Sequence, residues 1–256
     1  VIDLNRRNPA TVAQMTATLD RILQGRFVLG VGRGGLNESC WGLQVNKPVT
    51  RMKESIEIIK KFWTEERVNY SGVYYKFENA SVSPKPYQKP HPPIWIAAFG
   101  KRMLRIVAEL GDGYITQNMS PKMYEEDLNI VKEWAIKMGR NPETIQRVFA
   151  APMAISKSSK TALKFISPLA RYVLSWRSGP PRNIARRLGY DGIWKRPEDV
   201  PEEAINLCYI FGTPEECVSK IENFVKVGVR NFIALPLLPI GVRSLKLFAE
   251  KVISCF

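Results

Sequence analysis

Histidine occurs once in 256 residues, at His91, and cysteine four times, at Cys40, Cys208, Cys217 and Cys255. No two cysteines form a C-x-x-C pair and no second histidine completes a donor set, which argues against a zinc site. Four scattered cysteines are also too thin a framework to staple a chain this long, so the expected compartment is reducing and cytoplasmic. Long apolar runs are missing as well. The longest, from Asn231 to Val242, is broken by Pro236 and Pro239 and is too short to cross a bilayer, so no membrane span is expected. No basic start followed by an apolar stretch and a small-residue cleavage site marks a secretory signal, and the first residue is Val1. Acidic residues are in deficit: 24 Asp and Glu stand against 38 Lys and Arg, a net charge of +14 that suits polyanions, phosphorylated cofactors or acidic surfaces. The remaining composition, 45% apolar and 24% charged, excludes disordered and low-complexity architectures.

What is present is a rhythm of strand and helix. Arg26-Phe-Val-Leu-Gly-Val31 reads as a strand ending in the turn Gly32-Arg-Gly-Gly35, and the spacing of Val49, Met52, Ile56, Ile59 and Phe62 predicts an amphipathic helix over 48–64. Pro93-Ile-Trp-Ile-Ala-Ala98 repeats the pattern, followed by Phe99-Gly100 and a helix that stops at Gly111. Residues 112–116 form the next expected strand. Ser120 caps a helix that opens on Pro121 and runs to Met138, and 147–155 is another strand. Thr213 caps a helix over 214–227, followed by a strand at 231–235 and a closing helix over 242–253. Such alternation implies a parallel sheet. Two segments interrupt it: residues 67–77 read as a β-hairpin turning at Ser71-Gly72, and 156–203 as a helical insertion rich in cations, including Arg171, Arg177, Arg182, Arg186, Arg187, Lys195 and Arg196. Those cations read as a solvated face, because no aromatic-and-basic nucleic-acid motif accompanies them. No nucleic-acid partner is expected.

Ligands of parallel α/β folds bind where loops leave the carboxyl ends of strands. Two such loops stand out, Gly32-Arg-Gly-Gly35 and Ala97-Ala-Phe-Gly100. In both, glycine permits close approach to the backbone, and the second opens into a helix with Lys101 and Arg102 on its first turn. Together they suggest an anionic ligand. Histidine is a common general base, but His91 precedes a strand, away from that end, and reads as structural. Glu38 reads as a loop-holding residue, with assistance to proton transfer as the alternative, and Asp112 as shaping the turn between helix and strand.

The segments Arg26-Phe-Val-Leu-Gly-Val-Gly32, Arg51-Met-Lys-Glu-Ser-Ile56, Tyr70-Ser-Gly-Val-Tyr-Tyr75, Pro93-Ile-Trp-Ile-Ala-Ala98, Gly111-Asp-Gly113 and Gly139-Arg-Asn-Pro142 resemble, in order and spacing, the luciferase-like family of flavin and deazaflavin oxidoreductases. The resemblance is good over residues 3–150, looser over 207–235 and weak over 156–203. Lys47-Pro-Val-Thr-Arg-Met-Lys-Glu54 and Ala98-Phe-Gly-Lys-Arg-Met-Leu104 look most like the archaeal branch that contains methylenetetrahydromethanopterin reductase, which uses the deazaflavin coenzyme F420.

This resemblance implies an α/β TIM barrel as one domain over 1–256, carrying the hairpin 67–77 and the insertion 156–203, and lacking the first strand–helix units of the family. The chain is therefore expected to be a fragment or a truncated paralogue. The resemblance further implies that Arg33, Gly34, Asn37, Ala98, Phe99, Gly100, Lys101 and Arg102 contact the coenzyme. It names no catalytic acid or base. The glycine at position 35, where sugar-phosphate and alcohol dehydrogenases of the family carry Glu, speaks against their substrates. The expected activity is F420-dependent hydride transfer to or from a small or pterin-like molecule, with FMN-dependent monooxygenation and a non-catalytic, polyanion-binding truncated barrel as alternatives. A homodimer is implied, with no metal.

Overall fold

The structure, a computed structural model, describes residues 1–34, 42, 46–175, 184–236 and 241–256, with 236 and 241–244 as backbone only. The chain divides into two units: Val1–Tyr114 with Ile130–Gln146, and Ile115–Asn129 with Arg147–Phe256.

The first unit is built on three parallel strands in the order β1 (Ile2–Asp3), β2 (Leu29–Gly32) and β5 (Ile94–Ala97). Asp3 lies opposite Gly32 and Val31 opposite Ile96. Between them run α1 (Pro9–Ile22), α2 (Pro48–Thr64) and the antiparallel hairpin β3 (Val68–Ser71) and β4 (Lys76–Ala80); α3 (Lys101–Leu110) follows β5. Leu29, Val31, Ile94 and Ile96 are buried at alternate positions along β2 and β5, the period of a pleated strand with one covered face. Helix α1 begins where Asn8 Oδ1 accepts the amide of Ala10 at 2.9 Å, with Pro9 at the first helical position. It packs on α2, whose buried Trp63 donates its indole N–H to Ala13 O at 2.9 Å. The hairpin is tied to α2 by Glu54, a buried carboxylate that accepts the amides of Val73 at 2.8 Å and Tyr74 at 2.9 Å.

The expected boundaries hold closely. Helix α2 occupies the predicted span, and the hairpin turns where expected but extends to Ala80. The strand expected from Arg26 begins instead at Leu29, because the Arg26 amide bonds back to Leu23 O at 3.2 Å and continues the turn that closes α1.

The second unit holds the end of β6 (Gly113–Thr116), the first turns of α4 (Pro121–Lys137), β7 (Gln146–Ile155), α5 (Ser159–Leu174), α6 (Ile184–Arg187), α7 (Glu202–Cys208), β8 (Ile210–Gly212), α8 (Pro214–Lys226), β9 (Asn231–Pro236) and α9 (Gly241–Lys251). Strand β7 pairs in parallel with β9 through Val148–Met153 and with β8 through Met153–Ile155. Ser120 caps α4 through the Met123 amide at 3.3 Å, and Thr213 and Glu216 close a reciprocal capping box on α8, both at the positions expected. The core is aromatic: Phe149 stacks on Phe224 at 4.1 Å and meets Tyr124 and Phe232 edge-on.

The insertion is helical in its described part, and its cations do more than face water. Arg187 pairs with Glu126 and Asp127, both at 3.0 Å, and donates to Met123 O; Arg171 donates to the carbonyl of Val200. Arg177 and Arg182 lie outside the described residues.

Cys208 on α7 and Cys217 on α8 are fully buried, and burial pushes both thiols from 9.0 up to about 12. A thiol held protonated in the folded state stabilises it fully below the unfolded thiol's pKa, and this contribution is lost as pH rises from about 9 toward 12. Each thiol adds a slope of up to ~1.4 kcal/mol per pH unit in that window. Urea midpoints measured from pH 8 to 10.5 are expected to fall, and the fall should be shallower in Cys208→Ala/Cys217→Ala. Equal slopes in the two proteins would refute the assignment.

Candidate functional site

The site is assembled at the carboxyl ends of β1, β2 and β5. Their parallel register makes three segments leave the same edge side by side: Leu4–Arg6 after β1, Arg33-Gly34 after β2 and Ala98–Arg102 after β5. The two loops singled out from the sequence are therefore neighbours. Asn37 and Glu38 lie outside the described residues.

After β5, Ala98 is fully buried, Phe99 half-buried, and Gly100 takes φ +78°, a left-handed value that glycine adopts without strain. Among the described residues no atom beyond its chain neighbours lies within 4 Å of where a Gly100 Cβ would stand, so these residues leave the space beside the start of α3 open. Helix α3 has no side-chain cap. Its first amides and the positive end of its dipole therefore face that space, a ready site for an anionic oxygen. Lys101 and Arg102 are exposed on the same turn, and neither forms an ion pair among the described residues.

After β2, Gly34 takes φ +71° directly above the Asp3 carboxylate, where an added Cβ would stand 2.0 Å from Oδ2. Asp3 accepts the Asn5 amide at 2.9 Å and pairs with Arg6 Nε at 2.8 Å, while the Asn5 carboxamide donates to Arg33 O. Sequence reading missed Asp3, Asn5 and Arg6. Their one signal was polar residues set directly behind an apolar dipeptide, too short a strand to register as one.

The other candidates fall away from this edge. His91 precedes β5 at its amino end, packs against Trp63 at a ring separation of 5.8 Å, and bonds through Nδ1 to Pro92 O. Asp112 shapes the turn before β6: its carboxylate accepts the Ile94 amide at 2.9 Å, and its own amide donates to Ile94 O. In the second unit Thr116 at the end of β6 and Asn118 and Ser120 in the loop after it are buried. A cavity of about 380 Å³ in that unit, lined by Tyr209, Lys220 and Phe224 among others, contains no predicted site residue. Among the described residues no cluster of His, Cys, Asp and Glu suits a metal, and no helix is long and apolar enough to cross a membrane.

Parallel strands followed by helices, with glycine turns and exposed cations at their carboxyl edge, define an α/β scaffold of the TIM-barrel class. The chain belongs to the luciferase-like monooxygenase family, whose sequence model matches residues 1–231. It is 28% identical to the 5,10-methylenetetrahydromethanopterin reductase of Archaeoglobus fulgidus over 266 aligned residues, 96% of this chain and 78% of that protein. It is 32% identical over 240 residues to the F420-dependent glucose-6-phosphate dehydrogenase of Segniliparus rotundus, covering 89% of this chain and 68% of that one. Among solved structures, the coenzyme F420-dependent tetrahydromethanopterin reductase of Methanopyrus kandleri superposes with a TM-score of 0.84 at 26% identity, covering 98% of this chain and 80% of that one. These relatives are oxidoreductases, and this chain is an enzyme of that class.

Proposed function

We propose that this enzyme binds coenzyme F420 at the carboxyl edge of β1, β2 and β5 and transfers hydride between it and a small or pterin-like substrate. The observation that carries the reading is the uncapped amino end of α3, open among the described residues, with Gly100 and the cations Lys101 and Arg102, in a chain similar to an F420-dependent reductase and an F420-dependent dehydrogenase. The residues fit a coenzyme with an anionic tail. The α3 amides and the two cations hold phosphate oxygens, and Gly34 and Gly100 allow the backbone to come close. When bound, the coenzyme supplies the hydride, and the protein contributes position and charge.

The test is a parallel fluorescence titration of the purified protein with F420 and with FMN. Micromolar affinity for F420 with at least tenfold weaker binding of FMN is expected. The reverse preference would move the reading to flavin monooxygenation, and binding of neither would leave the family fold without this chemistry.

A further inference from the structure

Asn5 is a polar side chain with no exposure to solvent, an arrangement that core packing alone would not favour. Its Nδ2 is satisfied by the carbonyl of Arg33, twenty-eight residues away, and its Oδ1 has no partner among the described residues. We infer that Asn5 is a positioning residue of the coenzyme site: by gripping the Arg33 carbonyl it orients the Arg33–Gly34 peptide so that the Gly34 N–H is presented to an anionic oxygen of the ligand. This rests on the coenzyme reading above.

The geometry follows from the peptide itself. Carbonyl and N–H point in opposite directions across a trans peptide plane, so fixing the Arg33 carbonyl toward buried Asn5 turns the Gly34 N–H away from the buried cluster. That N–H has no partner among the described residues. Asp3 holds the grip from below. Its carboxylate accepts the Asn5 amide, pairs with Arg6 and fills the space beside Gly34 so closely that only glycine fits the turn. The Leu4–Arg6 segment thus fixes the loop after its neighbouring strand, much as an outer ligand fixes an inner one in a preorganised site.

Three measurements on the wild type, Asn5→Ala and Asn5→Asp test this: F420 affinity by fluorescence titration, the rate of limited tryptic cleavage after Arg33, and the urea unfolding midpoint. Asn5→Ala removes the donor, and Asn5→Asp keeps the volume while setting an acceptor against the Arg33 carbonyl. Both are expected to weaken F420 binding ~10-fold or more and to speed cleavage after Arg33 several-fold, with the unfolding midpoint lowered, more in Asn5→Asp than in Asn5→Ala, while the folded variants keep other tryptic sites protected as in wild type. Unchanged affinity in variants of a protein that binds F420 would overturn the inference. So would a loss that accompanies general unfolding and cleavage everywhere, since Asn5 would then be only structural. If the wild type binds no F420, the coenzyme reading fails, and the tryptic rate alone decides the grip: no change after Arg33 overturns it too. Should Asn5→Ala fail to fold, Asp3→Asn, which weakens the support under Asn5 at constant volume, is expected to shift affinity and cleavage in the same direction.

Discussion

Reversing both charges on the first turn of α3, Lys101→Glu with Arg102→Glu, is expected to weaken F420 binding by ~100-fold. The two cations stand beside the helix terminus whose amides and dipole already favour an anion, so the substitution replaces attraction by repulsion at the position proposed for a phosphate. The binding constant of the wild type should also fall as salt rises from 50 to 500 mM, and that of the variant should respond less or in the opposite sense. Both side chains are exposed, so the urea midpoint should stay near wild type. Affinity within threefold of wild type would place the anionic tail elsewhere.

Phe149→Ala carries the largest expected loss of stability. The ring is fully buried on β7, stacked on Phe224 at 4.1 Å and flanked by Tyr124 at 6.2 Å and Phe232 at 6.4 Å. Removing it leaves a void that three rings from three different elements cannot all close, and it forfeits their stacking. The expected cost is about 4 kcal/mol. Urea unfolding followed by circular dichroism checks this, and a loss below about 1.5 kcal/mol would mean that the cluster does not hold the second unit together.

Elements announced by local chemistry were legible in the sequence. Ser120-Pro121 and Thr213-Pro214 mark helix starts because side-chain oxygen, amide and proline ring act within four residues, and the α2 stripe from Met52 to Phe62 marks its buried face. The two glycine loops were legible for the same reason. Strands β1 and β8 were not: two and three residues are too few to show a period, and both exist through their neighbours, Val31-Gly32 for β1 and Met153–Ile155 for β8. The Asp3, Asn5 and Arg6 cluster escaped because its meaning lies in a contact with Arg33, which no local pattern encodes. The shift of β2 to Leu29 has a similar origin, since Arg26 completes the preceding turn rather than continuing the apolar run.

The tie between Glu54 and the hairpin sets how freely that element can be rewritten. Glu54 grips main-chain amides at Val73 and Tyr74, not their side chains, and an added Cβ at Gly72 would stand 2.5 Å from its Oε2. Side chains add to this grip: Val68 is buried, Phe77 meets Phe62 of α2 edge-on at 5.2 Å, and the Tyr70 hydroxyl donates to Glu57 at 2.8 Å. Grafted onto another helix, these strands would need Glu54, Glu57 and Phe62 carried with them to keep their angle.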